Sequence, residues 1–333
     1  MSLTGAATPS RGVKVATFIA RRTWIILLAS ALGHLGAWHW FLDLFAHFRW
    51  QYLFASLLCL SAAIYAKKAR LIGLSFAVLV WNFALIAQYP FANPNAAPSA
   101  AEPLKVLFAN CAMTDKGDAL IALIRAEAPD VIGIAELSDE FSQRLKAEFS
   151  ASHSVQALAP DPGWQGIGVL VKNGRLANAS ADLVDPAELE FPTARLRWQG
   201  GELLVVHPIP PVASDAAASR DAFFAALTKY AARQPRSQTV IVTGDFNATA
   251  WSAAYLQMRN AGDFVDSSVG FWPTPTWHGP NAWFAPLSIP IDQLLLRGPG
   301  SVRARRVLSN PDSDHSVLVT TLMLAPLATL AAQ

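Results

Sequence analysis

TVIVTGDFNAT, residues 239–249, opens with a short run of mostly β-branched residues and ends on a glycine followed by two polar side chains, Asp245 and Asn247. An apolar run of this length, bounded by a turn residue, reads as a buried β-strand. The carboxylate and the amide then stand at the strand's end, where a rigid element can aim them into a site. The same pattern repeats on both sides. Toward the N-terminus lie LKVLFA with Asn110 at its end, VIGIA with Glu136, GIGVLVK, and ELLVVH, which ends on His207. Toward the C-terminus lie IDQLLL, which starts with Asp292 in second place, and SVLVTTL, preceded by Asp314 and His315. Between the strands, KGDALIALIRAEA, DEFSQRLKAEF and SRDAFFAALTKYAAR carry apolar residues at helical spacing. Strands alternating with helices predict an α/β domain over residues 104–326, long enough to bury a full core.

The first hundred residues read differently. Of the 333 residues, 53% are hydrophobic and 15% charged, and the apolar excess sits at the N-terminal end. Three uncharged stretches, about 23–42, 50–66 and 71–89, predict three transmembrane helices in a membrane domain over residues 1–89. A single cleaved signal would show one short segment, not three. Arg11, Lys14, Arg21 and Arg22 precede the first stretch, and Lys67, Lys68 and Arg70 lie between the second and third. Basic loops stay on the cytoplasmic side, so the expected placement is multi-pass in the cytoplasmic (inner) membrane, with everything after Tyr89 extracytoplasmic. His34, His39 and His47 read as interfacial or packed histidines. Residues 90–103, PFANPNAAPSAAEP, predict an extended Pro/Ala linker reaching roughly 40 Å at most, which would keep the outer domain near the bilayer.

The net charge of +2 conceals a division. Residues 1–103 hold 8 Lys/Arg and 2 Asp/Glu, whereas residues 104–333 hold 18 and 22. The outer domain is therefore mildly acidic, which argues against a duplex DNA gripper. Cys59 and Cys111 make a poor disulfide pair, and no zinc spacing occurs. A nucleophile elbow, a Gly-rich phosphate loop and an HExxH helix are all missing from the sequence. What remains is a set of carboxylate and amide oxygens suited to a hard cation such as Mg²⁺. Asp266 and Asp312 belong to no motif and read as solvated.

Asn110, Glu136 at the end of IAE, GDFNAT at 244–249, ID at 291–292 and SDHS at 313–316 resemble, in order and spacing, the motifs of the endonuclease/exonuclease/phosphatase superfamily. The resemblance covers about residues 104–322, and the preceding apolar stretches resemble that superfamily's membrane-anchored bacterial branch. It implies a DNase I-like fold, a four-layer α-β-β-α sandwich following N-terminal transmembrane α-helices. It also implies a hydrolase with Mg²⁺ as cofactor and Mn²⁺ as the alternative. Glu136 would be the main metal ligand, with Asn110 supporting it and Asp314 touching the metal site. Asp245 would orient or deprotonate the attacking water, and Asn247 would help hold phosphoryl oxygens. His207 would contact the phosphate, and His315, oriented by Asp292, would hydrogen-bond the phosphoryl group. One departure stands out: many relatives place His after the Asp of the ID motif, where this chain has Gln293, so altered tuning is expected.

Trp272, Trp277, Trp283 and Phe284 cluster in and just before PTPTWHGPNAWFAP, a loop expected at the mouth of the site. The expected function is that of a membrane-anchored phosphoesterase: a phosphatase, pyrophosphatase or phosphodiesterase. Its partners would be the lipid bilayer and a phosphorylated, lipid-linked substrate. An extracytoplasmic nuclease is the alternative with the same chemistry, and a non-catalytic envelope binding protein is the alternative of another class. No protein partner is implied.

Overall fold

The computed structural model describes residues 10–92 and 101–325. Most of the expected linker (93–100) and the last expected residue of the outer domain (326) lie outside the described residues. The chain divides between Gln88 and Tyr89 into two compact units.

The first unit is helical: α1 (Arg11–Arg21), α2 (Thr23–Leu32), α3 (Trp40–Asp43), α4 (Arg49–Tyr65) and α5 (Ala69–Ala87). Among the described residues, two helices are long and apolar enough to cross a membrane, the 25-residue run Arg11–Leu35 and the 19-residue α5. At 17 residues, α4 falls short of the about 20 that a span ordinarily takes. The expected first span at 23–42 needs correction, because the helix starts at Arg11 and is over by Leu35. Gly36 is the reason. A Cβ there would lie 2.5 Å from Asp43 Oδ1, so only glycine lets the chain turn back so closely. His39 then caps α3, its Nδ1 accepting from the Phe41 amide at 3.2 Å. Inside the unit the polar groups pair with one another: Arg49 donates to the Ser30 carbonyl at 2.9 Å, and the Ser30 hydroxyl donates to Asn82 at 2.8 Å.

The second unit carries the strands β1 (Glu102–Asn110), β2 (Val131–Ala135), β3 (Val155–Ala159), β4 (Ile167–Val171), β5 (Ser180–Leu183), β6 (Thr193–Trp198), β7 (Gly201–Val206), β8 (Thr239–Asp245), β9 (Val265–Asp266), β10 (Asp292–Arg297), β11 (Gly300–Leu308) and β12 (Val317–Leu324). Its helices are α6 (Asp118–Glu127), α7 (Asp139–Phe149), α8 (Pro186–Leu189), α9 (Ser214–Arg233) and α10 (Ala253–Ala261). The strands form two six-stranded sheets, ordered β11-β12-β1-β2-β4-β3 and β5-β6-β7-β8-β10-β9. Because β1 starts at Glu102, the last two residues of the expected linker are strand.

Strand alternation explains the layers. In β1, Val106 and Phe108 join Val131, Leu203, Val205, Ile241, Leu294 and Leu296 in a core between the sheets. Leu107 and Ala109 face the other way, onto Leu120, Ile124, Phe141 and Leu145 of α6 and α7. On the far side of the second sheet, Tyr230 of α9 donates to buried Glu202 of β7 at 2.8 Å. A row of rings, Phe223, Phe224, Phe246 and Tyr255, closes that side. The order is helix, sheet, sheet, helix. Each fully buried aliphatic or phenyl side chain contributes about 1.5–3 kcal/mol to this arrangement.

Two aspartates read as solvated have structural partners. Asp266 is buried, accepting from Tyr255 Oη at 2.7 Å and from the Ser268 amide at 2.8 Å. Asp312 Oδ2 accepts from the Ala119 amide at 2.7 Å and the Leu120 amide at 3.3 Å, satisfying the first turn of α6 from 193 residues away. Loss of an N-terminal cap costs about 1 kcal/mol. Asp312→Ala is therefore expected to lower the thermal midpoint while Asp312→Asn, which keeps an acceptor, changes it less. Equal melting of Asp312→Ala and the wild type would show that the carboxylate does not hold the helix.

Candidate active site

The parity that builds the core also builds the site. Asn110 follows Val106 and Phe108 on the inner face of β1, Asp245 follows Ile241 and Thr243 on β8, and Asp292 precedes Leu294 on β10. Register then brings them together. Asp292 lies directly opposite Asp245 in the antiparallel β8–β10 pair, and Asn110 lies beside Ala135, one residue before Glu136. Gly244 is required at this crossing: a Cβ on it would meet the Val206 carbonyl oxygen at 2.0 Å. Glu136 and Asn247 both adopt left-handed backbone, with φ of 52° and 48°. Outside glycine such a conformation costs of order 1–3 kcal/mol and concentrates at functional sites.

The side chains form one connected array. Asn110 Nδ2 donates to Glu136 Oε1 at 2.9 Å and to Asp245 Oδ2 at 3.2 Å. Its oxygen accepts from the Ala112 amide at 2.9 Å, so Asn110 turns a donor, not a metal-seeking oxygen, toward the carboxylates. The Asn247 amide holds Asp245 Oδ1 at 2.8 Å, and Asn247 Nδ2 donates to the Pro208 carbonyl at 2.9 Å. His315 Nδ1 lies 2.9 Å from Asp292 Oδ2, and its Nε2 lies 3.6 Å from Asp245 Oδ2. The expected contact between His315 and Asp292 is therefore present in the structure.

Electrostatics gives the two histidines opposite characters. Burial alone would pull the His315 pKa down. The Asp292 carboxylate at Nδ1, helped by Asp245 and Asp314, outweighs burial and raises it to about 10. His315 is thus an imidazolium at neutral pH. His207 is lowered to about 4, by burial and then by the charge of His315. Its Nδ1 lies 3.1 Å from the Trp164 carbonyl, which can only accept, so the hydrogen is on Nδ1. His207 Nε2 then carries a lone pair, 3.7 Å from both Glu136 Oε1 and Asp245 Oδ2. Burial pushes Asp245 upward, as does the charge of Asp292 opposite it. Glu136 is raised mainly by burial.

Thr276 and His278 are not singled out by the sequence, and Trp277 and Ser313, which it places in the aromatic loop and in SDHS, also support the site. The buried Thr276 hydroxyl accepts the Asp292 amide at 3.0 Å and so anchors the start of β10. Trp277 Nε1 donates to Asp314 Oδ2 at 2.9 Å. His278 bridges the hydroxyls of Ser288 at 3.0 Å and Ser316 at 2.8 Å. The Ser313 hydroxyl donates to the Asn110 carbonyl at 2.9 Å and receives the His315 amide at 3.0 Å. The available signal was PTPTWHGP, where polar residues sit between prolines that leave little freedom to the loop. Gln293 is buried and donates to the Pro290 carbonyl at 2.8 Å, on the strand face opposite Asp292. A cleft of about 600 Å³ opens beside Asp314 and Ser313, walled by His278, Asn281, Ala282 and Asp312.

Oxygen acceptors outnumber donors here. Asp245, Asp292 and His315 bring polar atoms within 4.8 Å of one another, and the acceptors among them are the two carboxylates, since the charged His315 holds a hydrogen on each ring nitrogen. Asp292 Oδ1 is buried with no hydrogen-bond partner among the described residues. His207 Nε2, Glu136 Oε1 and Asp245 Oδ2 converge as three acceptors. This donor set fits a hard divalent cation.

The chain matches the model of the Endonuclease/Exonuclease/phosphatase family over residues 107–315. Among curated protein sequences, none matches. Solved structures share the fold. D. rerio TDP2 complexed with single-strand DNA product is 16% identical with a TM-score of 0.54, over 66% of this chain and 99% of that chain. An AP endonuclease from Archaeoglobus fulgidus is 17% identical with a TM-score of 0.53, over 65% and 98%. A 3'-5' exonuclease (NExo) from Neisseria meningitidis is 14% identical with a TM-score of 0.53, over 65% and 98%. On the family match, which spans well over half its length, this chain belongs to the Endonuclease/Exonuclease/phosphatase family.

Proposed function

We propose that this protein is a divalent-metal-dependent phosphoric ester hydrolase. In this reading its N-terminal helices hold it in the cytoplasmic membrane, and it acts at the outer face on a lipid-linked phosphate ester or pyrophosphate. The chemistry rests on one observation, the buried array Asp292–His315–Asp245 with Glu136 and Asn110 beside it. A divalent cation (Mg²⁺ or Mn²⁺), held by Glu136 with Asp314 alongside, would supply positive charge for the phosphoryl oxygens and polarise a water. Asp245, raised by burial, is placed to take a proton from the attacking water. His207 Nε2 is an acceptor, so it orients that water and offers no hydrogen to phosphate. His315, held charged by Asp292, donates from Nε2 to a phosphoryl oxygen, where developing charge is stabilised. Asn110 and the Asn247 amide hold the carboxylates in place.

The membrane reading is supported by the two apolar helices and by the distribution of Lys/Arg. Lys14, Arg21, Lys67, Lys68 and Arg70 line one cleft of the helical unit, so both basic segments share an end. A nuclease is the alternative, in keeping with the DNA product bound to D. rerio TDP2. Against it, no Lys or Arg is among the described residues lining the cleft beside Asp314, and a DNA backbone would find no countercharge there.

Assay of the full chain in detergent tests this reading. EDTA is expected to abolish turnover, and Mg²⁺ or Mn²⁺ to restore it. Phosphorylated lipids should be hydrolysed faster than plasmid DNA at matched concentration. Full activity in EDTA would remove the metal, and faster cleavage of DNA would remove the lipid substrate.

A further inference from the structure

The 25 residues from Ser267 to Ile291 contain no Lys, Arg, Asp or Glu. Part of this segment is a wall of the cleft beside Asp314. Its outer turn, the 3₁₀ helix Ala282–Leu287, does the opposite and turns apolar side chains to solvent. Trp283 is 91% exposed, Leu287 43% and Phe284 40%. Among the described residues of the second unit, no other large apolar side chain is as exposed as Trp283.

We propose that this turn is a lipid-surface anchor, with Trp283, Phe284 and Leu287 entering the headgroup region of a bilayer, so that the cleft beside them opens at the lipid–water boundary. The inference rests on the hydrolase reading for what enters the cleft, but not for what the turn touches. Three observations select a lipid surface. First, the same chain carries two helices long and apolar enough to cross a membrane, so a bilayer is within its covalent reach. Second, the segment starts where the chain enters the second unit: the Gly270 amide donates to the Tyr89 carbonyl at 2.8 Å, and the Phe91 and Trp272 rings meet at 6.0 Å. Tyr89 is two residues beyond the end of α5. Third, the exposed area is too small for a protein partner. Buried aromatic side chains cover roughly 150–250 Å² each, so three partly shielded residues fall far short of the ~800 Å² that each side of a standard interface contributes. A tip rich in Trp and Phe, without charge, is what an interfacial belt accepts.

The test uses the full chain in phosphatidylcholine liposomes. Trp283→Cys and, as a reference, Ser150→Cys just past the end of α7 are labelled with the fluorophore NBD; Cys59 and Cys111 are buried, and unsubstituted protein reports any background. NBD at 283 is expected to be quenched by doxyl-labelled lipid and shielded from iodide, with the reverse at 150. Iodide quenching at 283 equal to that at 150 overturns the proposal. A shift at 283 that follows protein concentration in detergent, not lipid, assigns the turn to a second copy and also overturns it. In a second arm, Trp283→Asp/Leu287→Asp is expected to keep wild-type turnover of bis-p-nitrophenyl phosphate and to lose roughly tenfold on a phosphorylated lipid in vesicles. Equal loss on both substrates makes the turn a wall of the cleft only and overturns the anchor. Should wild type hydrolyse neither substrate, the hydrolase reading fails, and the quenching pattern still decides the anchor.

Discussion

His315→Ala is expected to lower kcat by about 10²–10³-fold, the usual cost of losing one well-placed donor at a transition state. The structure explains why so much depends on this ring. Asp292 holds Nδ1 at 2.9 Å and, with Asp245 and Asp314, lifts the pKa to about 10 against burial. The charge is therefore present at neutral pH and points, through Nε2, toward Asp245. Asp292→Asn should cost less than His315→Ala, because the ring remains but its charge is no longer secured. The double variant should be little worse than His315→Ala alone, since residues acting as a unit are not additive. The pH profile separates this from simple packing. A histidine raised above its unfolded pKa of about 6.5 contributes stability below that value and loses it as pH rises through about 10. The alkaline limb of activity should therefore lie near pH 10 in wild type and move down in Asp292→Asn. Losses that multiply in the double variant, or an unmoved alkaline limb, would break the dyad into two independent residues.

Asp245→Asn is expected to cost about 10²–10⁴-fold in kcat, the range for a positioned general base. The same change should raise the thermal midpoint measured in EDTA. Asp245 and Asp292 face each other across the β8–β10 register, and like charges so placed destabilise a sheet. Asp245 is a carboxyl whose folded pKa lies above its unfolded one, so its ionised form is penalised in the folded chain at neutral pH. Asparagine keeps the shape and an acceptor for the Asn247 amide and removes that penalty, while its Nδ2, in the place of Oδ2, faces the donors Asn110 Nδ2 and His315 Nε2, so the gain is smaller than full relief of the penalty. Lower activity with higher stability marks a residue kept for chemistry. Retention of more than a tenth of wild-type kcat would move the base elsewhere, and a fall in midpoint would make Asp245 a structural carboxylate.

How far the sequence could be read depended on whether a feature was local. β8, β2 and β10 each contain an apolar run and are buried on both faces, and each announces itself. β6 and β11 do not, because Arg195 and Arg197, and Arg303, Arg305 and Arg306, interrupt the pattern. Those arginines are accommodated by distant partners: Arg195 and Arg197 meet Asp182, Arg306 meets Glu127, and Arg305 reaches Ser267. The end of the first helix is hidden in the sequence for a related reason: what demands glycine at position 36 is Asp43, seven residues on.

By itself the sequence determined which chemistry-bearing residues stand at strand ends, and that these ends belong to an α/β domain following apolar helices. Strand propensity, helical periodicity and the GDFN and SDHS motifs are properties of neighbouring residues, so a linear reading finds them. Only the tertiary structure decided that Asp245 faces Asp292, that His207 is neutral and His315 charged, and that Asn110 offers its nitrogen. It alone showed Asp266 and Asp312 holding the fold together. Those outcomes depend on register between strands far apart in the chain, on burial, and on which single carbonyl or carboxylate reaches each ring nitrogen. No stretch of sequence contains both partners of such a contact, so none can specify it.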